Sequence, residues 1–293
     1  MHWEVRHRAL RSHGASAAIT SIGTDSLDVL SAVRAAELVG HRIRWTYDRI
    51  VNPRLVDMET FRERLLRWGQ SRCEVVEVAS LFARCPIAHK WKAPMRSLVV
   101  REALFWRMHD LGEQVLLLME HGRILGARIL LRSAIETLAL LIYLNRKMKS
   151  VLDGDLSYFD FDDITKQLLM GSKNQATAIA AVNVLTVLKH ADKDHPGILA
   201  MHEHLSESAH PNYDGVLYGY TNLDPEKFET TFANNWERRF GKEQEPGTAF
   251  VLAAFEHEYN VLWHQHMTDF EAWLRAHDDQ LEAELRSRKT EGS

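Results

Sequence analysis

Apolar positions recur three and four residues apart along most of the chain, the period of an amphipathic helix. The pattern predicts helices over 25–51, from an Asp25 or Ser26 cap to the Asn52-Pro53 break, and over 58–68 behind an Asp57 cap. A short helix follows over 71–84. Longer ones are expected over 95–120 and 123–147, then over 163–170 after the acidic loop DGDLSYFDFDD, and over 173–192. His195-Pro196-Gly197 breaks the pattern, and a further helix runs from there to His210. Residues 211–246 read as a long loop, and the last helix is expected from Thr248, after Pro246-Gly247, to about 287. Period-two alternation of β-branched residues is scarce, so no sheet is expected. The fold class is therefore all-α, a helical bundle with a helical N-terminal extension. The two prolines of CPIAHKWKAP, 85–94, place the expected division between an N-terminal region, 1–90, and the bundle, 91–293.

One helix stands apart from the amphipathic pattern. GRILGARILLRSAIETLALLIYL, 122–144, is apolar nearly all round, as a helix buried in the middle of a bundle is. At about 100° per residue, Arg128, Arg132, Glu136 and Tyr143 form one polar stripe on this rod. Buried charges are costly unless paired and hydrogen-bonded. Arg132 and Glu136, four apart, can pair with each other and still leave guanidinium donors for a second acceptor. The stripe reads either as a structural ion pair fixing the bundle or as the lining of a site.

A second stretch, MHEHLSESAHPNYDG at 201–215, gathers three histidines and two glutamates and is stopped by Pro211. On a helical wheel Ile198, Met201, Leu205, Ser208 and Ala209 share one face, and Glu203, Ser206, Glu207 and His210 share the other. His210 in the last turn either caps the helix or stands at the mouth of a cleft with Glu207 beside it.

Composition changes this picture little. Apolar residues make up 45% and charged residues 26%, a globular balance in a chain of 293 residues long enough to bury a core. Cys73 and Cys85 lack zinc or CxxC spacing and suit a reducing, cytoplasmic setting. No membrane span is expected, because charges interrupt even the apolar region 111–144, and the basic start lacks the apolar core of a secretory leader. The net charge of −4 conceals an asymmetry: residues 1–110 carry 18 Lys and Arg against 12 Asp and Glu, while 111–293 carry 18 against 28. The basic half suits either an anionic partner such as RNA or an ordinary solvated surface.

LLRSAIETLALLIYL followed by HLSESAHPN resembles bacterial all-helical proteins of the HEPN-like class, within a branch bearing RSxxE and LSExxHP motifs; the resemblance covers about 95–285. It implies an all-α bundle, often a homodimer, in a class that includes RNA-cleaving toxins and phage-defence effectors as well as inactive relatives. Active members carry an Arg, four to six residues, then a His that moves a proton at the ribose 2′-hydroxyl without a metal. His210 matches that His. The Arg is not matched, since Ser206, Leu205, His204 and Glu203 occupy the positions before it. The expected site therefore takes its cation from the neighbouring helix. His210 is the acid/base, Arg132 contacts phosphate, Glu136 orients Arg132 and Glu207 tunes His210. Arg128, Ser206, Asn212 and Tyr143 lie on the substrate side.

Other constellations carry less. Glu207 to His210 has the Glu-x-x-His spacing of di-iron bundles, but the only other such spacing is Glu4 to His7 at the start of the chain, so neither metal nor cofactor is expected. His266 sits on an apolar face with Tyr259, Leu262, Phe270 and Trp273 and reads as a core histidine. The 153–163 aspartates lack the glycine and terminal glutamate of a calcium loop. There is no GxxxxGK[ST], GxGxxG or GxSxG. Two functions follow: RNA binding or metal-independent RNA cleavage, or a non-catalytic interaction module in which the same polar residues are structural.

Overall fold

The computed structural model describes residues 58–291, all within one compact unit that spans 51–293. The helix expected over 25–51 lies outside the described residues, as does most of the region 1–90.

The order is α1 (Met58–Ser71), α2 (Val78–Arg84), a 3-10 turn (Pro86–His89), α3 (Lys92–Glu120), α4 (Ile124–Leu152), α5 (Tyr158–Met170), α6 (Val184–Asp194) and α7 (Ile198–Ala209). A π-turn (Tyr213–Tyr218) and a hairpin of β1 (Thr221–Asp224) and β2 (Glu229–Phe232) follow. The chain then closes with α8 (Trp236–His257), a second π-turn (Glu258–Leu262) and α9 (Trp263–Glu291). The fold is an all-α bundle, and none of the described helices is long and apolar enough to cross a membrane.

The stretch read as a fully buried rod is α4, the axis of the bundle: α3, α5, α6, α7, α8 and α9 all pack on it. Ile135, Leu138, Leu141 and Leu144 are shut off from solvent. The turn into α4 is set by Gly122, whose φ of +63° only glycine adopts without strain. Its N–H donates to the Met119 carbonyl and that of Arg123 to the Leu118 carbonyl, the Schellman closure that satisfies the last carbonyls of α3. Gly154, at φ +80°, ends α4 in the same way.

Residues 58–90 are part of this packing. Trp68 of α1 tilts against Phe105 of α3 and Phe255 of α8. Cys85 and Ala88 are buried beside α9, and both cysteines are free thiols.

Several elements differ from the sequence pattern, and the helix expected over 71–84 begins only at Val78. The helix expected at 163 begins at Tyr158, where the Ser157 hydroxyl accepts from the Asp160 N–H. The helix expected over 173–192 begins only at Val184, capped by Asn183. The loop expected over 211–246 holds the hairpin and the first turns of α8, which runs through Pro246. Proline removes one ladder bond there, but Trp236, Phe240, Gly247, Val251, Leu252 and Phe255 lie on one face and are buried, and that burial outweighs the missing bond.

Candidate functional site

The polar stripe of α4 faces α7. Arg128, 1% exposed, donates from Nε to Ser208 Oγ at 2.8 Å and lies over the Phe240 ring, 4.4 Å from its centroid. Glu136 Oε1 accepts from His202 Nε2 at 2.9 Å and meets Arg132 Nη2 at 3.3 Å. The Arg128–Ser208 and Glu136–His202 pairs fix α4 and α7 antiparallel, with Arg132 on the seam between them. Arg107 of α3 adds a bond to Thr137 Oγ1 at 3.1 Å. The His202 hydrogen bond, then Arg132 and Arg107, hold the Glu136 carboxyl below its ordinary range against the opposing effect of burial.

Of the expected site residues, Arg128, Arg132 and Glu136 are thus brought together, by His202 and Ser208. Tyr143 faces α6 instead: its ring meets His190 edge-on at 5.4 Å, and burial raises its pKa. His210 ends α7 as its C-terminal cap, its N–H donating to the Ser206 carbonyl at 3.1 Å, with its side chain exposed. Glu207 accepts from Asn212 Nδ2 rather than pairing with His210, because the chain past Pro211 turns back and carries Asn212 over that face. Ser206 Oγ donates to the His202 carbonyl of its own helix at 2.7 Å. Among the described residues no hydrogen bond or ion pair joins Arg132 or Glu136 to His210.

His202 went unread because it lies beside the apolar face of Ile198, Met201 and Leu205. The available signal was a histidine and a serine on the inward side of a helix that must face a polar stripe. Asp214, in the π-turn after α7, was also missed. Burial raises its carboxyl pKa, with His204 and Arg128 pulling it down and Glu207 and Glu243 pushing it up.

A second constellation lies elsewhere on α4. A cleft of roughly 740 Å³ opens between the C-terminal half of α4, the α6–α7 junction and the π-turn that follows α8. At its floor Glu258, 2% exposed, accepts from His195 Nε2 at 2.8 Å through Oε1 and from Asn145 Nδ2 at 2.8 Å through Oε2. Three elements converge there for local reasons. His195 is the residue at which α6 stops. The following Gly197, at φ +101°, starts α7, and Asp192 Oδ1 accepts from the N–H groups of Gly197 and Leu199. Glu258 opens a π-turn, a helical irregularity often found at functional sites. Asn145 is a polar residue on the buried rod.

Arg146, Lys149, Lys193 and His266 complete the upper walls. With histidines neutral, the lining holds three Lys and Arg against four Asp and Glu. Arg146 is paired with Asp194 at 2.6 Å and Lys149 with Asp153 at 2.8 Å. Burial, and then Lys149, lower the His266 pKa, so that ring is neutral near pH 7. His195 is partly exposed, with its Nε2 committed to a buried carboxylate. That arrangement fixes the ring and leaves Nδ1 without a hydrogen-bond partner among the described residues. Sequence reading took His195 as part of a helix break and His266 as a core residue. Nothing local links either to Glu258, which is 63 residues from His195.

Residues 100–194 match the model of a family of unknown function (DUF5677). The matched stretch covers most of α3 and the whole of α4 to α6, so it holds Arg128, Arg132, Glu136, Tyr143 and Asn145 and stops one residue before His195. No curated protein and no solved structure matches the chain.

Proposed function

We propose that this protein binds RNA and cleaves it by metal-independent acid–base chemistry, with the proton-transferring group in the Asn145–Glu258–His195 cleft rather than at His210. The observation that carries the reading is His195 Nε2 held at 2.8 Å by a buried glutamate on the floor of an open cleft. In this scheme His195 Nδ1 takes the proton of a ribose 2′-hydroxyl. The 2′-oxygen forms a bond to phosphorus, the bond from phosphorus to the 5′-oxygen breaks, and the leaving oxygen takes a proton from water or a wall residue. Glu258 keeps the Nε2 proton in place, and Lys193, which has no ion pair among the described residues, meets the phosphate charge. Arg146 and Lys149 join by exchanging aspartate for phosphate. The reading carries with it a cytoplasmic homodimer with a toxin or phage-defence role, as the HEPN-like resemblance implies.

The α4/α7 seam favours the second reading for its own residues. Arg128, His202 and Ser208 are each no more than 3% exposed and bond to one another's helices, so this network fixes the fold and meets no substrate. If the cleft too is inert, the protein is a helical interaction module.

The test is cleavage of total RNA and tRNA in chelator by wild type, His195→Ala and His210→Ala, with melting curves for each. The proposal expects wild type and His210→Ala to cleave and His195→Ala to be inactive while folded. Cleavage that persists in His195→Ala, or that disappears in a stably folded His210→Ala, overturns it.

A further inference from the structure

The described residues hold a second surface of unusual composition, made of residues outside the cleft lining. Val216, Leu217, Tyr220, Leu223, Phe228 and Phe232 are all exposed large apolar side chains within one short stretch, and Phe228 and Phe232 are 92% and 80% exposed. The antiparallel register sets Thr221 opposite Phe232 and Leu223 opposite Thr230, so Phe232 and Leu223 share one face of the hairpin. A two-stranded hairpin is marginal in water by itself. This one is clamped at its base by two arginines. Arg238 Nη2 donates to Asn222 Oδ1 at 2.7 Å and to Asn235 Oδ1 at 2.9 Å. Arg239 Nη2 donates to the Thr221 carbonyl at 2.9 Å, and its guanidinium lies 3.9 Å over the Tyr218 ring, on which Tyr213 stacks.

The partners of these guanidiniums are amide oxygens and an aromatic ring. No carboxylate among the described residues pairs with either, so both positive charges are uncompensated there. The hairpin's acidic residues are placed differently. Asp224 accepts from the N–H groups of Glu226 and Lys227 and pairs with Lys227 Nζ, while Glu229, opposite it, lies on the other face from Phe232. Exposed aromatic side chains along a hairpin whose base carries positioned arginines without a carboxylate partner match an anion that carries flat rings. Single-stranded nucleic acid has that chemistry: its bases stack on aromatic side chains and its phosphates meet cations.

We infer that the hairpin and the start of α8 form a docking surface for single-stranded RNA, with bases stacking on Phe228, Phe232 and Tyr220 and phosphates meeting the exposed Arg238, while Arg239 holds the base of the hairpin. The inference rests on the RNA reading for its substrate class but not on the chemistry of the cleft. A duplex, whose bases are already stacked, should bind poorly here.

The experiment is fluorescence anisotropy of a short labelled oligouridylate in chelator, with the oligothymidylate and an RNA duplex as parallel probes. Full-length wild type is compared with the double variant Phe228→Ala/Phe232→Ala and with Arg238→Gln, and intact probe is verified after each titration. The double variant is expected to lose about tenfold or more in affinity with its melting temperature unchanged, because both side chains are exposed. Arg238→Gln is expected to flatten the salt dependence. Wild-type affinity in the double variant overturns the inference, as does tighter binding of duplex or of the oligothymidylate. A shift from dimer to monomer in the double variant, with RNA affinity intact, assigns the surface to a second copy of the chain and also overturns it. Binding lost in the double variant while wild type cleaves nothing sinks the cleavage reading and leaves this surface standing.

Discussion

Replacing Glu258 separates a built acid–base site from a passive polar contact. In Glu258→Ala both carboxylate bonds disappear: His195 Nε2 and Asn145 Nδ2 lose acceptors at 2.8 Å each. Hydrogen bonds to a charged group contribute about 1.5–3 kcal/mol apiece. Three effects reduce the sum: a buried carboxylate no longer has to be desolvated, Asn145 keeps its bond to the Glu258 backbone carbonyl at 3.1 Å, and partly exposed His195 can reach water. The net loss is about 2–4 kcal/mol, which in a domain of this size lowers Tm by roughly 10 °C. Glu258→Gln fills the same space. Its amide oxygen still accepts from Asn145, and its NH₂ turns to His195, forcing the ring proton onto Nδ1. That variant should lose only about 1 kcal/mol yet be as inactive as His195→Ala, because the nitrogen facing the bound molecule has become a donor. Urea unfolding gives the stabilities, and nitrogen chemical shifts of the imidazole give the tautomer. An alanine variant that loses less than about 1 kcal/mol, or a glutamine variant with an unchanged tautomer, would refute the reasoning.

The other expectations concern the rest of the bundle. Glu136 has a depressed pKa in the folded state, so its contribution is present above the unfolded carboxyl value and is lost as pH falls through the folded one. The Tm gap between wild type and Glu136→Gln should therefore be widest near neutrality and close on acidification below about pH 4.5; a gap independent of pH would contradict the clamp. His266, whose folded pKa is also depressed, keeps its full contribution above the unfolded histidine value and loses it as pH falls from about 6.5. His266→Gln should flatten the Tm profile in that window, and an identical profile in the variant argues against a partly buried neutral ring. A Cβ added at Gly215 would stand 2.0 Å from the His210 carbonyl oxygen, so Gly215→Ala should cost about 2 kcal/mol or more; a wild-type melting curve would show that the turn after α7 is free to move. His210→Ala, at an exposed cap, should change stability by less than about 0.5 kcal/mol, and a larger loss by urea titration would place that ring in a network.

Helix against strand is decided by local periodicity, and so the sequence alone determined the all-α class, the buried character of α4 and the polar stripe along it. It also determined the outward face of α7: Glu203, Glu207 and His210 are exposed as their spacing requires. Helix ends held where a local cap competes with few alternatives, as at Gly122. They failed at Pro246, where a local penalty of one ladder bond was outweighed by the burial of Trp236, Phe240 and Val251. The hairpin was invisible because its strands are four residues each, too short to establish alternation. Only the tertiary structure decided which polar groups meet. The stripe found His202 and Ser208 rather than His210, since the register of α7 on α4 is set by apolar packing along the whole seam. Asn145 and Glu258 stand out by nothing in the sequence, and His195 reads there only as part of a helix break. They become one constellation because the ends of α6 and α8, separated by many residues, close on the rod that carries Asn145, and a buried carboxylate must take its donors from whatever lies within reach.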